Sequence, residues 1–214
     1  MVGLARQLVS GHPDVRGGFE ARCARTSTTV TVVEVRGAPA TSLETTAAAD
    51  NLGRVARLLI VHHSPTPTVQ ALTDRVVAGA NDDEIEGVEV VVRPALEASA
   101  DDVLTADGYL LGTTANFGYM SGALKHFFDT IFLEAGGALA DDGSAGATEG
   151  GKKPYGLWVH GRYDTTGAVR SVQTIVQALP WVQSAEVLEV VGDVSAEHER
   201  TAYDLGGTLA ALLT

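Results

Sequence analysis

The chain has 214 residues, 45% of them hydrophobic, and a net charge of −12. That length suits one α/β domain with a sizeable core and is short for two, while the acidic balance argues against nucleic acid and anionic membrane as partners. A single cysteine, Cys23, cannot form an internal disulfide, no apolar run reaches the length of a membrane span, and the start of the chain lacks a sustained hydrophobic segment, so a cytoplasmic location is expected.

Residues 1–53 differ from the rest. Together with Arg54 they hold six arginines against five carboxylates, a net of +1, which leaves −13 on the remainder. Only residues 29–35 have strand character, and 38–50 are small and polar. The composition predicts a poorly ordered N-terminal extension over 1–53 and a folded domain over 54–214. An arginine- and serine-bearing start is also how a targeting arm looks.

The domain opens with a β-branched run at 56–63, read as the first strand. Ser64-Pro-Thr-Pro-Thr68 follows, then an amphipathic helix through Val69, Leu72, Val76 and Val77. This order places the hydroxyls of Ser64, Thr66 and Thr68 at a helix N-terminus, where a phosphate is favoured. Pro65 and Pro67 remove two N–H donors, so side chains must supply more of the contacts. The alternative is an ordinary capped helix. Residues 87–93 form the second strand, after an acidic turn at 82–86 that reads as a solvated surface. A short helix is expected over 98–105.

The most informative stretch begins at Gly108. Residues 108–112 form a third strand, and Leu124, Phe127, Phe128, Ile131 and Phe132 mark one face of a helix over 121–133. Between them, 113–121 reads as a polar, glycine-bearing loop. Gly118 permits a turn that a side chain would forbid, and Ser121 can cap the helix. Phe117 and Tyr119 have no core strand to belong to and are free to cover something flat.

Residues 134–153 are rich in Gly, Ala and acids without phosphate-loop grammar, and read as a mobile loop. The fourth strand spans 154–160. The loop after it, Gly161-Arg-Tyr-Asp-Thr-Thr-Gly167, together with His160 concentrates chemistry in a short connection. Its plainer reading is a capped turn, with Asp164 or Thr165 capping the next helix and Arg162 paired with a neighbouring acid. A fifth strand at 186–191 and a last helix through Ala202, Leu205, Leu209, Leu212 and Leu213 complete the chain. Strands alternating with helices are the grammar of a parallel sheet covered on both faces.

Other chemistries are thin. His62 and His63 have no third ligand at a sensible spacing, so no metal site is expected. Ser64 lacks the glycines of a nucleophile elbow, and the dinucleotide fingerprint is absent after the first strand.

The stretch Gly112-Thr-Thr-Ala-Asn-Phe-Gly-Tyr-Met-Ser-Gly-Ala-Leu-Lys-His-Phe-Phe-Asp129 resembles the second flavin-contacting loop of flavodoxin-like proteins. It is most similar to that of the quinone reductases and small FMN-binding oxidoreductases, whose pattern runs Pro-Thr-Tyr-x-Gly-x-Met-Ser-Gly-x-Leu-Lys-x-Phe-x-Asp. The resemblance implies a three-layer flavodoxin-like sandwich with a five-stranded parallel sheet in the order 2-1-3-4-5. The three candidate loops would then converge at the carboxyl ends of neighbouring strands, where open parallel sheets bind their ligands and where flavodoxin itself binds FMN. It further implies noncovalent FMN, with Ser64, Thr66 and Thr68 on the phosphate. Thr114, Ala115, Asn116, Phe117, Gly118 and Tyr119, with His160, Gly161, Arg162, Tyr163 and Asp164, would hold the ring. His160 and Arg162 are the candidates to tune its electronics. The implied activity passes hydride from NAD(P)H through flavin N5 to a quinone or similar small acceptor. The alternative is a flavodoxin-type electron carrier, which the acidic charge permits. The choice between NADH and NADPH, and whether the chain self-associates, stay open.

Overall fold

The computed structural model describes residues 54–135 and 152–214. The extension expected over 1–53 and most of the glycine-rich loop lie outside the described residues. Among the described residues, seven strands and five helices follow in chain order: β1 Ala56–His62, α1 Pro67–Ala80, β2 Val88–Pro94, α2 Ala100–Thr105, β3 Gly108–Asn116, β4 Tyr119–Met120, α3 Gly122–Ala135, β5 Lys153–Gly161, α4 Thr166–Val176, β6 Trp181–Gln183, β7 Leu188–Val191 and α5 Ala196–Ala211.

The strands form one sheet in the order β2-β1-β3-β5-β6, with β7 also on β5 and β4 on β3. All pairings are parallel except β3 with β4. Counting β5 as the fourth strand and β6 plus β7 as a broken fifth, the order is the expected one. Parallel strands covered on both faces need continuous apolar runs, and β1 supplies one in Leu58, Leu59, Ile60 and Val61, all fully buried. Their side chains alternate between two cores. Leu59, Val61, Tyr109, Leu111 and Leu157 pack with α2, α3 and α4. Leu58, Ile60, Leu110 and Trp158 pack with α1 and α5. Gly112 makes room for Trp158, since a Cβ there would lie 2.0 Å from the indole.

Three elements depart from the sequence reading. The third strand continues to Asn116 and turns back as β4, so the expected loop over 113–121 is mostly a hairpin. The expected strand at 186–191 is preceded by β6, which pairs with the start of β5 while β7 pairs with its end. Finally, α5 spans Ala196–Ala211 behind a Ser195–His198 capping box and ends before Leu212 and Leu213, which the sequence reading places on that helix. Among the described residues, no helix is long and apolar enough to cross a membrane.

Candidate functional site

The carboxyl ends of β1, β3 and β5 lie side by side, and the loops after β3 and β5 meet there. The first two are joined where the His63 N–H donates to the Gly112 carbonyl at 2.9 Å.

The second loop is built from the hairpin. Phe117 has φ 53° and Gly118 φ 71°, the positive pair that a tight two-residue turn of type I′ requires. For glycine that conformation is free, whereas for phenylalanine it is strained. Yet the Phe117 ring is fully exposed, so packing does not compensate. Beneath the tip, buried hydroxyls are satisfied internally. Thr113 Oγ1 donates to Ser121 Oγ at 3.1 Å or to the Thr114 carbonyl at 3.1 Å, and accepts from the Ser121 N–H at 3.0 Å. Asn116 Nδ2 donates to Thr114 Oγ1 at 3.0 Å. Ser121 caps α3, accepting from the Leu124 N–H at 3.2 Å, as expected from sequence.

The third loop closes against this tip. A Cβ on Gly167 would stand 1.9 Å from the Gly118 carbonyl oxygen, so only glycine lets the start of α4 touch the hairpin. Thr165 is the N-cap of α4 but makes no side-chain cap bond; Asp164 before it accepts from the Thr166 N–H at 3.0 Å, and its hydrogen bonds to Thr166 hold its carboxyl below the usual range. Arg162 approaches Asp193 at 3.6 Å rather than Asp164, with both side chains exposed. His160 points elsewhere, placing Nε2 2.8 Å from the Gly192 carbonyl, to which it must donate.

Between the two loops lies a cleft of 390 Å³ lined by Ala115, Asn116, Phe117, Gly118, Arg162, Tyr163 and Asp164. Its size falls within the usual range for small-ligand sites. Each of these residues is a candidate from the sequence. Phe117 and Tyr163 both present exposed rings to it. Thr114 is buried beneath the hairpin, and Tyr119, Gly161 and His160 stand outside the lining.

Ser64, Thr66 and Thr68 lie at the start of α1, also outside the lining. Thr66 is the N-cap, its Oγ1 accepting from the Val69 N–H at 3.4 Å. Ser64 turns inward, 2.9 Å from His62 Nδ1 and 2.7 Å from Thr73 Oγ1. Burial, aided by the neighbouring His63, pushes the His62 pKa down. Among the described residues there is no group of three or more His, Cys, Asp or Glu that could hold a metal.

Sequence reading missed two contributors. Gly167 left a signal, a glycine in the first turn of a helix, where no φ requirement calls for one. Asp193 left none, because its approach to Arg162 depends on the β7 turn.

No family model matches the chain. A flavodoxin of Aquifex aeolicus (strain VF5) is 31% identical over 83 residues, 39% of this chain and 44% of that protein, so the match spans less than half of this curated relative. Among solved structures, a flavodoxin from the domain Archaea has a TM-score of 0.58 at 14% identity, over 73% of this chain and 98% of that one. The flavodoxin of Streptococcus pneumonia TIGR4 has a TM-score of 0.55 at 20% identity, over 73% and 99%. Rubredoxin oxygen:oxidoreductase from Desulfovibrio gigas has a TM-score of 0.57 at 10% identity, over 73% of this chain and 36% of that one. These likenesses show that the fold is flavodoxin-like.

Proposed function

We propose that the chain is a flavoprotein that binds FMN noncovalently in the cleft between the β3–β4 hairpin and the β5–α4 loop, and that it passes reducing equivalents from NAD(P)H to a quinone or similar small acceptor. One observation carries the flavin reading. Phe117 is held in a strained left-handed backbone with its ring wholly exposed, lining one cleft with the exposed ring of Tyr163. Strain of this kind persists where surrounding structure enforces it, and it clusters at ligand clamps. Two exposed aromatic rings beside backbone N–H groups suit a flat, heteroatom-edged ring system. Bound FMN would supply one- and two-electron redox chemistry that no side chain here can perform. The protein's part is to pack Phe117 and Tyr163 on the ring, to set Arg162 at its edge and to leave the phosphate facing the start of α1.

The second reading is an electron carrier, and a specific finding favours it. The curated relative and two of the solved neighbours are flavodoxins by name. The reductase reading rests instead on the resemblance around residues 120–129. Anaerobic stopped-flow mixing of the FMN-loaded protein with NADH or NADPH separates the two. Bleaching of flavin absorbance within seconds is the expected result. Indifference to both nucleotides, with reduction only by a reductase protein, would assign the carrier role.

A further inference from the structure

The start of α1 has the position of a phosphate cradle but few of its donors. Within 64–68, Pro65 and Pro67 carry no N–H. The Ser64 hydroxyl has two inward partners, Thr73 Oγ1 and His62 Nδ1. Thr73 Oγ1 lies 3.1 Å from the Val69 carbonyl, which can only accept, and 2.7 Å from Ser64 Oγ. If Thr73 donates to that carbonyl, Ser64 donates to Thr73 and accepts from His62 Nδ1–H. If Thr73 donates to Ser64, then Ser64 can donate to His62. In both of these arrangements the Ser64 proton stays inside the protein; it is freed only in a third, where Thr73 and a His62 Nδ1–H both donate to Ser64.

Thr66 also takes up the Val69 N–H, one of the helix-terminal groups that would otherwise point at an anion. No lysine or arginine occurs between Arg57 and Arg75, so the segment brings no permanent cation. The donors left to it are the N–H groups of Ser64, Thr66 and Thr68 and the hydroxyls of Thr66 and Thr68, with the Ser64 O–H joining them only in that third arrangement. The ring end of the site is different. There Phe117 and Tyr163 present aromatic faces, and the Gly118–Gly167 contact fixes the hairpin tip against α4.

We infer that the site selects its ligand by the tricyclic ring and discriminates weakly on the phosphate, so that riboflavin binds nearly as well as FMN. The inference rests on the flavin reading above and assigns where that affinity resides. Full-length protein is titrated against FMN and against riboflavin, following ring fluorescence. The expected dissociation constants lie within tenfold of each other, a difference below about 1.4 kcal/mol. FMN binding with riboflavin more than tenfold weaker overturns the inference and leaves the flavin reading intact. Binding of neither ligand overturns both. Pro67→Ala, which returns an N–H at the first helical position, is expected to tighten FMN at least threefold and leave riboflavin unchanged. An unchanged FMN affinity in that variant would contradict the donor argument.

Discussion

At the scale of single residues, the third loop divides its labour. His160 belongs to the scaffold: its Nε2–H satisfies the Gly192 carbonyl, tying β5 to the turn after β7. Arg162 has no such duty. Its ion pair with Asp193 is 3.6 Å long, with side-chain exposures of 72% and 98%, and surface pairs of that kind contribute about 0–1 kcal/mol. A permanent cation on the rim of the cleft would instead stabilise the negative charge of a reduced flavin. Arg162→Ala should therefore leave thermal unfolding of the apo protein nearly unchanged. It should also lower the FMN midpoint potential by on the order of tens of millivolts, about 30 mV corresponding to 1.4 kcal/mol for a two-electron couple. Spectroelectrochemical titration reads the shift. An unchanged potential with a destabilised apo fold would make Arg162 structural.

At the scale of elements, the cleft depends on a hairpin touching a helix. The Gly118 carbonyl occupies the space that a Gly167 side chain would need. Gly167→Ala must displace the tip or the first turn of α4, and strain of that size costs roughly 1–3 kcal/mol. The expected outcome is a fall of several degrees in melting temperature together with at least tenfold weaker FMN binding. A variant that melts lower yet binds FMN as before would mean that this contact does not shape the site.

How much of this was legible follows from the chemistry of each element. The runs of β1, β3 and β5 are apolar on both faces and announce central parallel strands. The helix of residues 122–135 shows its buried stripe plainly. The hairpin did not show, because Thr113, Thr114 and Asn116 look like loop residues until Thr113 finds Ser121 and Thr114 finds Asn116. β6 is three residues long, too short for alternation to register. The cleft residues at 115–118 and 162–164 were legible because loops at the ends of central strands converge. The inward turn of Ser64 was not, since it depends on Thr73 lying one helical turn beyond Val69.

At the scale of the whole molecule, the acidic charge falls on residues 55–214. The described strands follow the five-strand plan, and the described core residues on both faces of the sheet lie within 54–214. We propose that residues 1–53 are dispensable for folding and for the site. A chain beginning at Leu52 should express, show the same melting temperature within about two degrees, roughly 0.5 kcal/mol for a domain of this size, and bind FMN equally. Lost solubility or lost binding would show that the extension packs on the domain.

Whether the cleft between the hairpin and the third loop binds a flavin is tested most directly by fluorescence titration of FMN with the purified protein. Saturable quenching at about one FMN per chain is expected, with a low-micromolar or tighter dissociation constant, since Phe117 and Tyr163 would stack on the ring. Absence of saturable quenching at protein concentrations far above that range would contradict a flavin site in this cleft.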